Sequence, residues 1–306
     1  FYELNDSHTG LSGLSGDPKN PDIKPLMPPV PLGPMGRQIY KGFNLLGWHC
    51  WPSYSALNTI PYQGRPSDSF LRPSNMGDFS RAKGSTENTY LPKAISNGLV
   101  VKENCQVIKL VPNEDNKKID RLLYRNNFGD VCVCKGKIFI IAASGIGTPR
   151  LLLGSKSTEF PNGICNSSDQ VGRNLMLHPL GYAEGLFPFN LYSNSGPQGC
   201  CLFSEEFRES NQKRGFVRGY TFQAIRGPLP IEAAINLLSS KNIKLGKDFV
   251  NQFLSRYNHT AHIAIITEDL PEAKNRVTLI NDYYQNNKLP GAKITYELSD
   301  NTKRML

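Results

Sequence analysis

Small residues follow an apolar run in the middle of the chain, where Lys135–Ser155 reads KGKIFIIAASGIGTPRLLLGS. The bend Ala143–Gly145 carries almost no side chain, and Thr148 and Pro149 suit the N-cap and first position of a helix. In open α/β sheets, ligands bind at the carboxyl ends of strands, and a helix N-terminus there favours a phosphate. Spacing alone leaves two alternatives open, a ligand site and a tight turn without ligand, because G-x-G-T-P lacks a third glycine.

A pair of histidines and a pair of acidic residues also carry side chains that could bind a metal or transfer protons. His259 and His262 are three residues apart, but HTAHIAIIT predicts a strand, which sends them to opposite faces. No third ligand accompanies them, so we do not interpret them as a metal site. Glu268 and Asp269 are adjacent, and adjacent carboxylates do not flank one substrate bond. We interpret this pair as a loop or strand end.

Composition excludes several function classes. The 306 residues carry a net charge of +9, but the basic residues are scattered. Without a basic stripe with interleaved aromatic residues, no nucleic-acid partner is expected, although anionic ligands are attracted. The apolar run Ile138–Ala143 is far shorter than the roughly 20 residues of a spanning helix, so no transmembrane segment is expected. Seven cysteines without a C-x-x-C pattern indicate neither a disulfide framework nor a zinc site, and no compartment is indicated.

The elements that position the bend are mostly strands. A Gly- and Pro-rich connector occupies residues 1–36, and helices are predicted over Arg37–Leu46 and Ser85–Asn97. Strands are predicted at Leu99–Val101, Cys105–Val111, Ile119–Arg125 and Val131–Cys134, which gives a β-meander. The meander leads into Lys137–Ala143, whose nearly continuous apolar side chains predict a buried, parallel strand.

The second half of the chain has a different pattern. Its strands alternate between polar and apolar residues, and are predicted at Phe216–Ala224, Thr260–Thr267, Arg276–Ile280 and Ala292–Tyr296. Helices are predicted over Pro230–Lys241 and Asp248–Arg256, and Ser299 is a candidate N-cap. We expect a mixed or antiparallel sheet with helices mainly on one face, and a domain boundary near Gly181.

Several segments of the chain resemble segments of a known family and occur in the same order. They are RAKGSTENTYLPKAISNGLVVKENCQVIKL, AASGIGTPRLLLGS, VGRNLMLHP, TEDLPEAKNRVTLI and ITYELSDNTKRML. Together they resemble the glucose–methanol–choline (GMC) family of FAD-dependent oxidoreductases, from about Gly36 to the last residue. The resemblance implies an α/β fold in which residues 1–181 form part of a Rossmann-like FAD-binding domain with a β-meander. Residues 182–306 are then part of an α+β substrate domain with a mainly antiparallel sheet.

The resemblance also implies a cofactor and its contacts. FAD is expected, with backbone contacts from Val107 to the adenine, while Ala142, Ala143 and Gly145 line the nucleotide path. His178 falls within the matched segment VGRNLMLHP, and we interpret it as a residue that orients a loop.

The activity that the resemblance implies is oxidation of the CH–OH group of an alcohol, polyol or sugar, with hydride transfer to flavin N5. The electron acceptor, whether oxygen, a quinone or a cytochrome, stays open. The family's opening G-x-G-x-x-G and its catalytic histidine segment have no counterpart here, so we expect an internal fragment and assign no catalytic residue. Two alternatives stay open: a flavoprotein with a nicotinamide site, which needs another G-x-G-x-x-G, and a non-catalytic member of the same fold that binds flavin or another ligand.

Overall fold

The computed structural model describes residues 14–15, 27–71, 77–195, 200–241, 243–284 and 289–306. Most of the predicted connector therefore lies outside the described residues. The helices are α1 (Gly33–Leu45), α2 (Tyr90–Ser96), α3 (Ser144–Gly154), α4 (Pro230–Lys241), α5 (Lys247–Arg256) and α6 (Asp300–Met305). The strands are β1 (Trp51–Pro52), β2 (Gln106–Pro112), β3 (Ile119–Arg125), β4 (Val131–Lys135), β5 (Leu180–Leu186), β6 (Cys200–Ser204), β7 (Tyr220–Ile225), β8 (Thr260–Thr267), β9 (Arg276–Tyr284) and β10 (Pro290–Thr295). No helix in these ranges is both long and apolar enough to cross a membrane.

The chain divides into two compact units that each use separate stretches of sequence. The first comprises residues 1–99, 178–268 and 304–306, and the second comprises residues 100–177 and 269–303. Residues before position 100 thus share a unit with much of the second half. This is a division by contacts, and the functional division into residues 1–181 and 182–306 stays a prediction.

The first unit contains a five-stranded sheet in the order β1-β6-β7-β8-β5. Every pair in it is antiparallel, as predicted for the second half. Helix α1 packs on it through Met35, Ile39 and Phe43, which share a core with Leu202 and Ala261. These α1 residues recur at three- and four-residue spacing, so one apolar face of the helix covers the sheet.

Helices lie against both faces of this sheet, and the expectation that they lie mainly on one face is wrong. Successive residues of a strand point to opposite faces. Ala261 of β8 belongs to the core shared with α1, whereas Thr260 lines a cavity together with residues of α4 and α5. The polar and small residues of β8 allow both faces to be covered.

The second unit contains the meander β2-β3-β4 and the hairpin β9-β10, both antiparallel. Helix α3 packs against β2, β9 and β10. The Arg150 side chain donates from Nε to the Pro290 carbonyl at 2.7 Å and from a terminal nitrogen to the Leu289 carbonyl at 3.1 Å. These bonds hold α3 against the start of β10.

A buried hydroxyl connects the end of α3 to the meander. The Leu110 N–H of β2 donates to Ser155 Oγ at 3.0 Å, and that hydroxyl donates to the Leu151 carbonyl at 2.7 Å. Ser155 is only 1% exposed, so water does not compete for either bond. The helix that follows the bend is therefore fixed relative to β2.

Ser155→Ala is expected to lower the free energy of unfolding by about 1–3 kcal/mol, because it leaves the buried Leu110 N–H without an acceptor. Denaturant unfolding of the parent and the variant measures this loss. Ser157→Ala, a few residues further along the same loop, is the control, since the Ser157 hydroxyl also accepts from a backbone N–H, that of Phe160 at 3.2 Å, but is only half-buried, so water can replace it. Equal stability of the two variants would contradict a special role for the Ser155 hydroxyl.

The predicted strand Lys137–Ala143 is not observed, and that prediction is wrong for the described residues. The segment is irregular, and its Ile138 and Ile140 side chains are 81% and 85% exposed. A strand needs a neighbour to take its backbone hydrogen bonds, and no described strand pairs with this one. Ile141 packs inward, against the apolar cluster around Leu110, and Phe139 is half-buried. Leu99–Val101 likewise forms no strand.

Helix α3 begins at Ser144, earlier than predicted. The residue before it is Ala143, and Thr148 and Pro149 lie inside the helix, so they are not its cap and first residue. The Thr148 hydroxyl accepts from the Ala143 N–H at 3.2 Å, a bond that runs backward along the chain. The small residues thus belong to the first helical turn. At the other end of the chain, Ser299 does cap α6, since its hydroxyl accepts from the Thr302 N–H at 3.0 Å.

Candidate functional site

The small residues of the bend lie at the surface of the second unit. Ala142, Ala143 and Gly145 are all exposed. A β-carbon built on Gly145 meets no atom within 4 Å, and its φ is not in the left-handed region. Neither the turn's dihedral angles nor packing among the described residues therefore requires glycine here.

The amino end of α3 is also free of negative charge. Its first turn contains no acidic residue, and no side chain caps its N–H groups. Free N–H groups at a helix start attract anions, typically by about 0.3–1 kcal/mol. The bare surface and the uncapped helix start together fit the close approach of a phosphate-containing ligand.

Val107 lies in β2, where it pairs with Tyr124 of β3. Its side chain packs against the same cluster as Ile141, which directly precedes the bend. The pairing of β2 with β3 shifts register between Val107 and Lys109. In the described sheet β2 is an edge strand, with one side of its backbone unpaired by another strand. This geometry leaves backbone groups near Val107 for a ligand.

The matched segment VGRNLMLHP begins in the second unit and ends in the first. The Gly172 carbonyl accepts from the Val277 N–H at 2.8 Å, which joins the segment to β9. His178 is exposed, and its side chain forms no hydrogen bond within the described part of the chain. Its role in orienting a loop stays a prediction. The next residue, Pro179, accepts at its carbonyl from the Thr267 N–H at 3.1 Å.

His262 belongs to a buried hydrogen-bonded group that sequence reasoning did not identify. It is 1% exposed; its Nδ1 contacts the Tyr182 hydroxyl and its Nε2 lies 2.7 Å from Thr260 Oγ1. Burial lowers its pKa, against the opposing effect of the Glu184 carboxylate, and burial together with that carboxylate raises the pKa of Tyr182 to about 12. The sequence did contain a signal, since Thr260 and His262 are two residues apart in a predicted strand and so share a face. Only the pairing of strands in the sheet brings Tyr182 beside them.

His259 does not join this group. It precedes β8, and its Nδ1 lies 3.3 Å from the Phe187 carbonyl oxygen. Across the described ranges, no three His, Cys, Asp or Glu side chains come close enough together to hold a metal ion. The two histidines thus occupy separate surroundings within the first unit.

Glu268 and Asp269 follow β8 directly, at a strand end as predicted, but their environments differ. Glu268 is exposed, whereas Asp269 is 9% exposed. The Asp269 carboxylate accepts from the Tyr296 hydroxyl at 2.6 Å and the Thr302 hydroxyl at 3.0 Å, and from the N–H groups of Leu177 and Leu270. Burial raises its pKa, but these hydrogen bonds outweigh burial and the net pKa is lowered. Asp269 is therefore structural.

A wide cleft of about 720 Å³ in the first unit was not predicted. Four cationic and two anionic side chains line it, namely Arg65, Asp78, Arg81, Lys83, Glu87 and Lys93. Its volume lies in the range of small-molecule sites. Apart from Lys93 in α2, these residues fall in irregular segments without periodicity, so no pattern in the sequence indicates that they converge.

Comparisons with known proteins identify relatives of this chain. A family profile described as GMC oxidoreductase matches residues 73–180, which include Val107, the bend and α3. The 2-methyl-1,2-propanediol dehydrogenase of Mycolicibacterium austroafricanum is 31% identical over 304 residues, covering 98% of this chain and 55% of the relative. The fructose dehydrogenase large subunit of Gluconobacter japonicus is 27% identical over 265 residues, covering 85% of this chain and 46% of the relative. The long-chain-alcohol oxidase FAO4B of Arabidopsis thaliana is 22% identical over 224 residues, covering 70% of this chain and 28% of the relative.

The chain spans about half the length of the first two of these relatives. The profile covers the part of the chain that carries the bend, and the similarity to the propanediol dehydrogenase extends over nearly all of it. The domain that this profile describes is FAD-binding, with mixed α/β content and antiparallel sheets as found here. The chain therefore belongs to the GMC oxidoreductase family.

Proposed function

We propose that the protein to which this chain belongs is an FAD-dependent oxidoreductase that acts on the CH–OH group of an alcohol, polyol or sugar. The observation that carries the proposal is collinear similarity to enzymes named for a diol, a sugar and long-chain alcohols. Their substrates differ, but all carry a hydroxyl group on carbon. The oxidation of that group is the shared chemistry.

The second unit fits FAD at the bend. The adenine would lie against the backbone near Val107, and the nucleotide would pass Ala142, Ala143 and Gly145. Support comes from the open space at Gly145 and from the uncapped, charge-free start of α3. The proposal includes a Rossmann-like arrangement around this helix, with residues 1–181 contributing to the FAD-binding domain and 182–306 to the substrate domain.

Bound FAD supplies the hydride acceptor for oxidation of a carbinol carbon. The residues of this chain bind and position: β2 and the start of α3 hold the nucleotide, while Ser155 and Arg150 fix α3 against β2 and β10. No residue of this chain is assigned as the catalytic base.

Gly145→Ala tests the cofactor contact. Since the added methyl group meets no described atom and the φ is permitted, the variant is expected to fold as the parent does. The methyl group would crowd a nucleotide at the bend, so we expect FAD affinity to fall about tenfold or more. Flavin fluorescence on dilution of the full-length protein measures the affinity.

Gly42→Ala is the matched control, because its β-carbon also meets nothing within 4 Å and its φ is also permitted. It lies in α1, which belongs to the other unit. A folded Gly145→Ala protein that holds FAD as tightly as the Gly42→Ala protein would show that the nucleotide does not approach this glycine.

The activity itself is tested on the full-length flavoprotein. We expect 1,2-propanediol, fructose or a long-chain alcohol to bleach the oxidised flavin spectrum under anaerobic conditions. Reoxidation by oxygen, a soluble quinone or a cytochrome then identifies the electron acceptor. A protein that binds flavin but is reduced by no compound with a CH–OH group would favour the alternative of a non-catalytic binding protein.

A further inference from the structure

A cavity of about 140 Å³ lies in the first unit, between the helices α4 and α5 and the strands β5 and β8. Its polar lining includes Glu184, Asn236, Arg256 and Thr260. Within the described ranges, the half-buried Arg256 side chain has no hydrogen-bond or ion-pair partner, and neither does that of Asn236, which is exposed. Polar groups that share a half-buried cavity without protein partners are available to a ligand.

The two charges in the cavity restrict the ligand's own charge. Glu184 would repel an anion and Arg256 would repel a cation. The His262 Nδ1 atom lies 3.6 Å from the Glu184 carboxylate, but burial lowers the pKa of that histidine, so it does not neutralise the carboxylate. A neutral ligand with hydroxyl groups suits both residues, since a hydroxyl donates to a carboxylate and accepts from a guanidinium.

The Thr260 hydroxyl is held in place from behind the cavity. It lies 2.7 Å from His262 Nε2, and the other ring nitrogen contacts the Tyr182 hydroxyl. When the Tyr182 hydroxyl donates to Nδ1, the ring proton is on Nε2 and is donated to Thr260 Oγ1. The Thr260 proton is then free for a ligand oxygen.

One wall of the cavity is aromatic. The rings of Phe253 and Tyr257 stack, with centroids 5.1 Å apart and an interplanar angle of 11°. The Asn194 side chain donates to the Tyr257 hydroxyl at 2.8 Å and fixes that ring. This wall presents an apolar surface to the C–H groups of a ligand.

Size limits the ligand further. An engineered protein cavity of roughly 150 Å³ holds one benzene molecule, so this cavity holds about six non-hydrogen atoms. We propose that it binds a neutral vicinal diol of about three or four carbons, with one hydroxyl donating to Glu184 and its neighbour accepting from Arg256. That such a diol is also a substrate rests on the proposed function, whereas its binding does not.

The test uses 1,2-propanediol as the probe and the full-length protein with FAD. Titration calorimetry or ligand-observed NMR is expected to show binding of the diol, and binding of 1-propanol weaker by about tenfold or more, because 1-propanol leaves Glu184 or Arg256 without a hydroxyl. Arg256→Met and Ala233→Leu, which fills the cavity, should each weaken diol binding by about tenfold or more. Arg208→Met is the matched control, since Arg208 is exposed and pairs with Glu205 outside the cavity, and it should bind the diol as the parent does.

The outcomes separate the site from the activity. Diol binding that is unaffected by Arg256→Met in a folded protein overturns the site, and so does 1-propanol binding as tight as that of the diol. If 1,2-propanediol reduces the flavin while the cavity variants bind it as the parent does, the proposed function stands and the site fails. If the diol binds as expected but no alcohol reduces the flavin, the site stands and the proposed function fails.

Discussion

Gly172→Ala is expected to lower the free energy of unfolding by roughly 3 kcal/mol or more, or to prevent folding. Gly172 has a φ of 84°, in the left-handed region, and a β-carbon there would lie 2.3 Å from the Val277 carbonyl oxygen. The strained φ costs a non-glycine residue about 1–3 kcal/mol and the overlap adds about as much. The backbone cannot retreat freely, because the Val277 N–H donates to the Gly172 carbonyl at 2.8 Å. Denaturant unfolding measures the loss.

Gly129→Ala separates the two causes. Gly129 lies in the same unit with a φ of 91°, but its β-carbon would meet only the tip of Arg125, at 4.0 Å. This control has the strained φ without the steric overlap, so its free energy of unfolding should fall by only about 1–2 kcal/mol. If both alanine variants unfold at the same denaturant concentration, the close approach of Gly172 to β9 is not part of the folded protein.

Asp269→Asn is expected to lower the free energy of unfolding by about 2–4 kcal/mol at neutral pH. Each carboxylate oxygen accepts two bonds, one from the Tyr296 or Thr302 hydroxyl and one from a backbone N–H. An asparagine must place its NH₂ group at one of the two oxygen positions, where it faces two donors. Glu268→Gln is the control, since Glu268 is exposed and, among the described residues, its side chain accepts from the Gly219 N–H alone, at 3.3 Å.

The pH dependence of this loss has a defined sign. Burial raises the pKa of Asp269, but its hydrogen bonds outweigh burial, so the folded protein holds that pKa below its ordinary value. A lowered folded pKa stabilises the protein above the unfolded pKa, and this contribution disappears as the pH falls through the folded value. The difference between the parent and Asp269→Asn should therefore shrink as the pH falls from about 4 towards 2. Urea unfolding at several pH values checks this, and a constant difference would contradict a charged Asp269.

Local sequence determined many of the elements by itself. The bounds predicted for β3, β8 and α4 match the structure, because alternation and helical spacing are read within a few residues. The meander also followed, since its turns carry their own signals, such as Asn-Phe-Gly-Asp before β4. The family resemblance likewise depends on short segments in a fixed order, which need no knowledge of long-range contacts.

Only the tertiary structure decided what those segments contact. Lys137–Ala143 has the composition of a buried strand, but pairing depends on a neighbour and not on its own side chains. The glycines of two segments that resemble the family also differ in role. A side chain at Gly172 would overlap the backbone of Val277, to which Gly172 is hydrogen-bonded, whereas Gly145 faces open space. The sequence placed Asp269 in an acidic pair at a loop or strand end, and two of its donors come from residues 27 and 33 positions further along the chain. Burial and hydrogen-bond partners arise from contacts between residues that are distant in sequence. A local sequence pattern contains no information about such contacts.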